Sequence, residues 1–199
     1  MRKIVVFESV TLDGVMQAPG RPDEDQRGGF TRGGWATPYS DPVIGSVAAE
    51  GMSKGSALLF GRRTYQDFAS VWPSMPQPNP FTEVLNNSQK YVASRTLTEP
   101  LPWINSTLLK GEASSAVSKL KVEPGPDLVV LGSGELVKAL MKANLIDQYV
   151  LLIHPLVLGN GQRLFGDGGT FASLHLLDVK TASTGVLIAT YQPAEPAMR

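Results

Sequence analysis

Apolar positions alternate between strand-like runs and helix-like segments along the first three quarters of the chain. Continuous apolar runs, which predict buried strands, cover residues 3–8, 57–60, 90–94, 107–109 and 127–131. Apolar residues with a helical period, which predict amphipathic helices, cover residues 42–52, 64–71, 113–122 and 135–143. This alternation is typical of an α/β fold, in which helices connect parallel strands.

The pattern changes after Asp147. Residues 148–158, 174–181 and 186–191 predict three strands without an intervening helix, and Ser183-Thr184-Gly185 predicts a tight turn between the last two. We therefore expect a mostly parallel central sheet with flanking helices and antiparallel C-terminal strands. One domain covers residues 1–192 in this interpretation, and residues 193–199 form a flexible tail.

Two segments interrupt the alternation. Residues 17–40 contain five glycines and no apolar period, and the aromatic residues near their end favour a lid over a disordered insertion. Residues 72–80 contain four prolines, which predict a stiff, extended connector.

Composition narrows the possible functions. The 199 residues include 18 basic and 18 acidic side chains and no cysteine. The balanced charge argues against nucleic-acid or membrane-surface binding, and the lack of cysteine excludes disulfides and thiolate chemistry. His154 and His175 have no metal-ligand spacing, so we predict no metal site. The N-terminal apolar run is too short for a signal peptide, so we expect a cytoplasmic protein.

Three predicted strands end in groups that favour an anion. The first ends in Gly61-Arg62-Arg63-Thr64, the second in Ser94-Arg95, and the third in Gly132-Ser133-Gly134, which opens a helix. Guanidinium groups pair with phosphate oxygens, and helix N-terminal amides favour anions. Gly-x-Gly before a helix is half of a dinucleotide fingerprint. Together the motifs predict a site for a phosphorylated dinucleotide, although each alone is compatible with surface cations and a simple turn.

The order of these motifs resembles the dihydrofolate reductase superfamily, and in particular the branch with the reductase domain of riboflavin biosynthesis and its stand-alone relatives. The segment Ser9-Val10-Thr11-Leu12-Asp13-Gly14 is similar to the family's S-x-D-G loop beside the nicotinamide. Residues 145–161 are similar to its D-E-hydrophobic … P-hydrophobic-L-G-x-G stretch. The resemblance implies a dihydrofolate-reductase-like three-layer fold, NADPH as cofactor, and a homodimer formed through the C-terminal strands.

The resemblance also implies which residues bind the dinucleotide. Ser94 and Arg95 would hold the 2′-phosphate that distinguishes NADPH from NADH. The whole implied set is Gly61, Arg62, Arg63, Thr64, Ser94, Arg95, Gly132, Ser133, Gly134, Glu135 and Leu136.

Reduction of a polar bond also needs a proton source. Asp13 is the first candidate, with a turn residue as the alternative, and Asp41 before Pro42 is either the second candidate or a helix cap. Glu8, at the end of the first strand, is a third and weaker candidate. The side chains that could stack on a planar substrate are Trp35, Tyr39 and Phe165.

These observations favour an NADPH-dependent reductase of a small planar heterocyclic or carbonyl compound. One departure bears on catalysis, because the riboflavin-pathway reductases carry an acid just before the paired glycines, where this chain has Leu131. A non-catalytic nucleotide-binding module or sensor is therefore the alternative. A flavin-using enzyme is a third hypothesis, which fits the arginine pattern less well.

Overall fold

The computed structural model describes residues 1–53, 55–75, 80–166 and 169–194. The strands are β1 (Ile4–Thr11), β2 (Ala57–Gly61), β3 (Lys90–Ser94), β4 (Ser106–Lys110), β5 (Leu128–Leu131), β6 (Gln148–His154), β7 (Leu174–Thr181) and β8 (Leu187–Pro193). The α-helices are α1 (Pro42–Ser53), α2 (Arg62–Val71), α3 (Pro80–Asn87), α4 (Ala113–Val122) and α5 (Gly134–Lys142). Short 3-10 helices cover Arg27–Gly29, Thr37–Tyr39 and Trp72–Ser74.

The eight strands form one sheet in the order β4-β3-β2-β5-β1-β6-β8-β7. The six strands from β4 to β6 are parallel, whereas β8 is antiparallel to both β6 and β7. The turn before β8 contains Gly185 at φ 85°, and its N–H donates to the carbonyl of Ala182 at 3.0 Å. The predicted mostly parallel sheet with antiparallel C-terminal strands is confirmed.

Apolar side chains cover both faces of the sheet and produce three layers. On one face, strand residues pack against α4 and α5 in a cluster that includes Ile4, Val6, Val117 and Leu140. On the other face, α2 and α3 contribute to a cluster that includes Phe60, Tyr65 and Leu85. A third cluster joins α1 to β6 and β8. The sheet is therefore the rigid layer from which the loops at its carboxyl edge project.

The structure differs from the sequence prediction around the proline-rich segment. Helix α3 was not predicted; it begins at Pro80, where proline is compatible with a helix start, and Val84 and Leu85 pack inward. The segment predicted to be extended begins with the 3-10 helix Trp72–Ser74, and residues 76–79 lie outside the described residues.

The C-terminal strands also end at other positions than predicted. Strand β6 stops at His154 because the chain turns there, and the Leu156 N–H donates to the His154 carbonyl at 2.8 Å. Strand β8 continues to Pro193, and the Ala194 N–H donates to Ser173 O at 2.8 Å, so these two residues belong to the sheet region. The rest of the predicted flexible tail, residues 195–199, lies outside the described residues.

Unequal strand lengths create a cleft at the carboxyl edge. Strand β1 pairs with β5 only as far as Phe7–Leu131, but it pairs with β6 as far as Thr11–His154. The last four residues of β1 therefore run past the end of β5 without a neighbour on that side. In open α/β sheets, ligands bind in this kind of crevice beyond the strand ends.

Candidate functional site

A cavity of about 610 Å³ lies where β1, β2 and β5 end. Its wall is formed by Phe7 and Glu8 of β1, the first turn of α2, the loop from Leu131 to Leu136, and parts of the segment 17–27. This volume is in the range of small-molecule and cofactor sites, about 300–1,000 Å³.

Two helices begin at this cavity with open N-termini. Neither the start of α2 nor the start of α5 has a side-chain hydrogen bond that caps it. Helices α1 and α4 differ, because Asp41 accepts the Val43 N–H at 2.8 Å and Glu112 accepts the Ser115 N–H at 2.8 Å. The first amides of a helix lack intrahelical partners and carry the positive end of its dipole. The starts of α2 and α5 therefore offer unpaired N–H donors to an anion in the cavity.

The two helix starts are tied together by one hydrogen bond. The Gly61 N–H donates to Ser133 Oγ at 2.9 Å. Ser133 has left-handed backbone angles, φ 67° and ψ 45°, and follows Gly132 at φ 59°. Such a conformation costs a non-glycine residue about 1–2 kcal/mol, so the backbone of this loop is strained at Ser133.

Arg62 and Arg63 lie in the first turn of α2 and line the cavity, whereas Arg95 follows the end of β3 and is not part of the cavity wall. Arg62 is half-buried and its guanidinium donates to Thr96 Oγ1 at 3.1 Å, which brings the loop after β3 to the start of α2. Arg63 and Arg95 are exposed. Among the described residues, none of the three forms an ion pair. Their charges are thus available to a ligand.

The other predicted dinucleotide residues occupy the same edge. Thr64 and Glu135 line the cavity, and Glu135 also forms an exposed ion pair with Lys138 at 3.0 Å. Ser94 is buried, and its hydroxyl accepts the N–H groups of Thr96 and Leu97 at 3.1 and 3.0 Å. The three predicted motifs therefore lie at the carboxyl edge of the sheet. The Ser94 hydroxyl is already hydrogen-bonded within the turn that follows β3.

Asp13 lies outside the cavity wall. Its carboxylate accepts hydrogen bonds from Thr11 Oγ1 at 2.6 Å and from the Gly159 N–H at 2.9 Å, and it forms an ion pair with Arg163 at 3.4 Å. The hydrogen bond from Thr11 is the main reason why the pKa of Asp13 is lowered to about 2. A carboxylate that is ionised at neutral pH is a poor proton donor, and the geometry assigns Asp13 to joining two loops.

Asp41 also lies away from the cavity and acts as a helix cap. One oxygen accepts the Val43 N–H in the first turn of α1, and the other accepts the Ser183 N–H at 2.9 Å. The hydrogen bonds from Ser183 and Val43 lower its pKa. The geometry favours the cap alternative over the catalytic one.

The three predicted stacking residues are not part of the cavity wall. Trp35 is buried, donates from Nε1 to Gln17 O at 2.7 Å, and meets the ring of His154 edge-on at 5.1 Å. The Tyr39 ring also meets the His154 ring edge-on, at 5.5 Å, and Phe165 packs beside Tyr149. Phe7, Phe68 and Phe81 supply aromatic wall instead. The sequence did not single out these three residues, because an aromatic residue within a helix or strand usually indicates a position in the hydrophobic core.

The glycine-rich segment 17–40 forms one side of the cavity. Gln17 Nε2 donates to the carbonyls of Asp25 and Arg27 at 3.1 and 3.0 Å, and Phe30 is buried with Trp35. Arg21 forms an ion pair with Asp67 of α2, which ties the segment to the helix that begins at the anion site. The predicted lid is thus in contact with the cavity.

Glu8 is the most unusual group in the cavity wall. Its side chain is buried, and Oε2 has no hydrogen-bond partner. Burial raises the pKa of Glu8 to about 8, and a hydrogen bond from the Ser9 backbone opposes the shift. Glu8 is therefore a neutral acid at pH 7. A signal was present in the sequence, because Glu8 occupies an inward position in the alternation Ile4, Val6, Glu8, Val10.

The part of the chain that the structure describes contains no group of three or more His, Cys, Asp or Glu side chains that could hold a metal ion. None of the helices within these residues is long and apolar enough to cross a bilayer.

The fold is that of a dihydrofolate-reductase-like protein. Dihydrofolate reductase from Enterococcus faecalis, in complex with NADP(H) and RAB-propyl, superposes with a TM-score of 0.63 at 12% identity, covering 97% of each chain. A structure from Shewanella sp. PV-4, named as a riboflavin biosynthesis protein, gives a TM-score of 0.64 at 21% identity and covers 97% of this chain and 99% of that one. At these identities the likeness shows the fold alone.

The sequence identifies the family. Residues 2–188 match the RibD C-terminal domain, so the chain belongs to that family. It is also 29% identical to the uncharacterized protein YyaP of Bacillus subtilis (strain 168) over 196 residues, which are 96% of this chain and 94% of YyaP. The resemblance predicted from the motifs is confirmed, and it indicates a reductase-type family.

Proposed function

We propose that the protein is an NADPH-dependent reductase of a small planar heterocyclic or carbonyl compound. One observation carries the proposal: the open N-termini of α2 and α5 meet at the Gly61–Ser133 hydrogen bond, beside a cavity of about 610 Å³. Two converging helix starts with unpaired arginines suit the diphosphate of a dinucleotide. NADPH, when bound, supplies a hydride.

The residues at the cavity fit such a cofactor. Gly61 has ordinary backbone angles, and an added Cβ would meet its neighbours at 3.6 Å, a normal contact distance. The fold itself therefore does not require glycine there. Close approach of a ligand to the backbone explains a glycine that packing does not need.

Roles for the polar groups follow from their positions. Arg62, Arg63 and the first amides of α5 hold the diphosphate, and Arg95 pairs with the 2′-phosphate beyond the end of β3. The segment 17–40 keeps water from the reacting atoms, since it already forms one wall of the cavity. The apolar wall that includes Phe7, Phe68 and Phe81 suits a planar substrate.

Calorimetric titration with NADPH and NADH tests the cofactor assignment. Arg95→Gln is expected to weaken NADPH binding roughly tenfold to a hundredfold, because a charge-assisted hydrogen bond contributes about 1.5–3 kcal/mol, and to leave NADH binding nearly unchanged. Lys142→Gln, at the far end of α5, removes the same charge away from the site and is the matched control. Equal losses for both nucleotides contradict the 2′-phosphate assignment, and wild-type protein that binds neither refutes the proposal.

Leu131 favours one alternative, a non-catalytic nucleotide-binding module or sensor. The two functions differ in turnover, which is measured as the oxidation of NADPH, followed at 340 nm, in the presence of an acceptor. The acceptor concentration is ~1 mM, near the upper end of common KM values. Dihydrofolate and para-nitrobenzaldehyde serve as C=N and C=O acceptors. Oxidation supports the reductase, whereas tight binding without oxidation supports the sensor.

We also propose that a second copy of the chain covers β7. This edge strand exposes Leu176, Leu177 and Val179, each about half accessible. Long edge strands with apolar side chains pair with other chains unless they are protected. The proposal agrees with the homodimer that the resemblance implies.

A further inference from the structure

We propose that Glu8 is the proton donor of the reductase, and that it protonates a nitrogen or oxygen atom of the substrate. The inference rests on the proposed function. It starts from a carboxyl group that belongs to the cavity wall, is buried, and has an oxygen without a hydrogen-bond partner.

The strand topology makes this position suitable for catalysis. Glu8 is the first residue of β1 beyond the last pair with β5, Phe7–Leu131. It therefore lies where the sheet opens into the cavity, next to the loop that holds Ser133 and the start of α5. A group at this junction is close to both the nucleotide site and the space left for the substrate.

The surroundings keep the carboxyl group protonated. Burial is the main cause of its raised pKa, and the charge of Glu24 across the cavity raises it further. A neutral acid with a pKa near the working pH is the form that general acid catalysis needs. The other charged groups of the cavity wall are Asp25, Arg27, Arg62, Arg63, Asp67 and Glu135. Two of the acids are already engaged by cations, since Arg27 pairs with Asp25 and Arg21 with Asp67.

The reaction balances with one proton from Glu8. A hydride from the reduced nicotinamide adds to the carbon of a C=N or C=O group, and the π electrons of that bond move to the heteroatom. The heteroatom takes the proton of the Glu8 carboxyl group and becomes N–H or O–H. The products are the reduced substrate, the oxidised nicotinamide and a Glu8 carboxylate, which regains its proton from solvent after product release.

Two variants and one control test the proposal. Glu8→Gln keeps size and polarity but cannot release a proton, and Glu8→Asp keeps the acid on a shorter chain. Glu123→Gln makes the same chemical change at an exposed position after α4. NADPH affinity, measured by calorimetry, is expected to change less than about twofold in all three, because the inference gives Glu8 no role in holding the nucleotide.

Infrared difference spectra of the NADPH complex provide the readout that does not depend on turnover. At neutral pH we expect a band of a protonated carboxyl group that is absent in Glu8→Gln and disappears as the pH rises through about 8. Absence of this band from the wild-type protein means that Glu8 is ionised, which overturns the proposal.

Turnover with dihydrofolate and para-nitrobenzaldehyde provides the second readout. Glu8→Gln is expected to lower kcat by roughly a hundredfold or more, and Glu8→Asp to retain part of it and to shift the pH profile. Wild-type kcat in Glu8→Gln refutes the role of Glu8 while leaving the reductase intact. Wild-type protein that binds NADPH but reduces neither acceptor contradicts the reductase, and the proton donor with it.

Discussion

Replacing Glu8 by glutamine is expected to remove a loss of stability that Glu8 causes as the pH rises from about 5 to 9. The pKa of Glu8 rises from 4.5 to about 8 on folding, chiefly because burial disfavours the charged form. Below pH 4.5 both the folded and the unfolded chain hold the Glu8 proton, so the contribution of Glu8 to stability is greatest there. Between the two pKa values the unfolded chain releases the proton and the folded chain keeps it, so stability falls as pH rises, and the loss levels off above the folded-state pKa.

The magnitude follows from the size of the shift. One pKa unit corresponds to about 1.4 kcal/mol, so the complete loss is roughly 5 kcal/mol. The loss is not spread evenly over this range: the advantage of Glu8→Gln over wild type should grow by roughly 2–3 kcal/mol from pH 5 to 7 and by roughly 1–1.5 kcal/mol more from pH 7 to 9. Any stability difference between the glutamate and glutamine proteins that does not depend on pH cancels when values at two pH values are subtracted.

Urea unfolding followed by tryptophan fluorescence measures the increments. Trp35, Trp72 and Trp103 lie in different parts of the fold and report the transition. The free energies of unfolding of wild type, Glu8→Gln and the control Glu123→Gln are extrapolated to water at each pH. If wild type and Glu8→Gln differ by the same amount at all three pH values, Glu8 does not carry a raised pKa, and the argument for a neutral buried acid is wrong.

Three further predictions follow from other contacts. Gly61→Ala should leave Tm within about 2 °C of the wild-type value, because the new Cβ meets only normal contacts. In calorimetry the same variant should bind NADPH at least roughly tenfold more weakly than wild type. Unchanged affinity would show that Gly61 is not part of the nucleotide site. Asp13→Asn should lower the unfolding free energy by about 1–3 kcal/mol in urea, because it places an amide donor against backbone N–H groups, and NADPH affinity should persist. In light scattering, Leu177→Lys should reduce the mass from twice 21.4 kDa to 21.4 kDa, whereas Ile104→Lys, near the opposite edge strand, should not; a wild-type monomer would contradict the dimer.

The fold could be predicted from the sequence because apolar period and run length report burial directly. Strands such as 57–60 are continuous apolar runs that only a two-sided sheet can bury. Helix α3 was missed because the prolines before it suggested a connector, although Pro80 stands where a helix tolerates proline.

Part of the candidate site was predictable for a topological reason. The carboxyl ends of parallel strands share one edge, so motifs that follow β2, β3 and β5 must lie near one another, as the contact from Arg62 to Thr96 and the Gly61–Ser133 bond show. The catalytic candidates lacked such a constraint. Asp-Gly and Asp-Pro pairs occur as turns and caps for local reasons, and Asp13 and Asp41 have that geometry here.

Leu131 and Glu8 lie near the ends of two neighbouring strands, β5 and β1. Leu131 stands where the resemblance to the riboflavin-pathway reductases implies an acid, and its strand partner is Phe7, directly before Glu8. The position on β5 is apolar and buried, and the next residue along β1 is an acid that the same cavity buries. Successive residues of a strand face opposite sides of the sheet, so Phe7 and Leu131 lie on the face of α2 and α3, whereas Glu8 shares the face of Ile4 and Val6. The cavity wall thus contains a buried acid although position 131 is leucine, so that leucine does not by itself indicate a loss of catalysis.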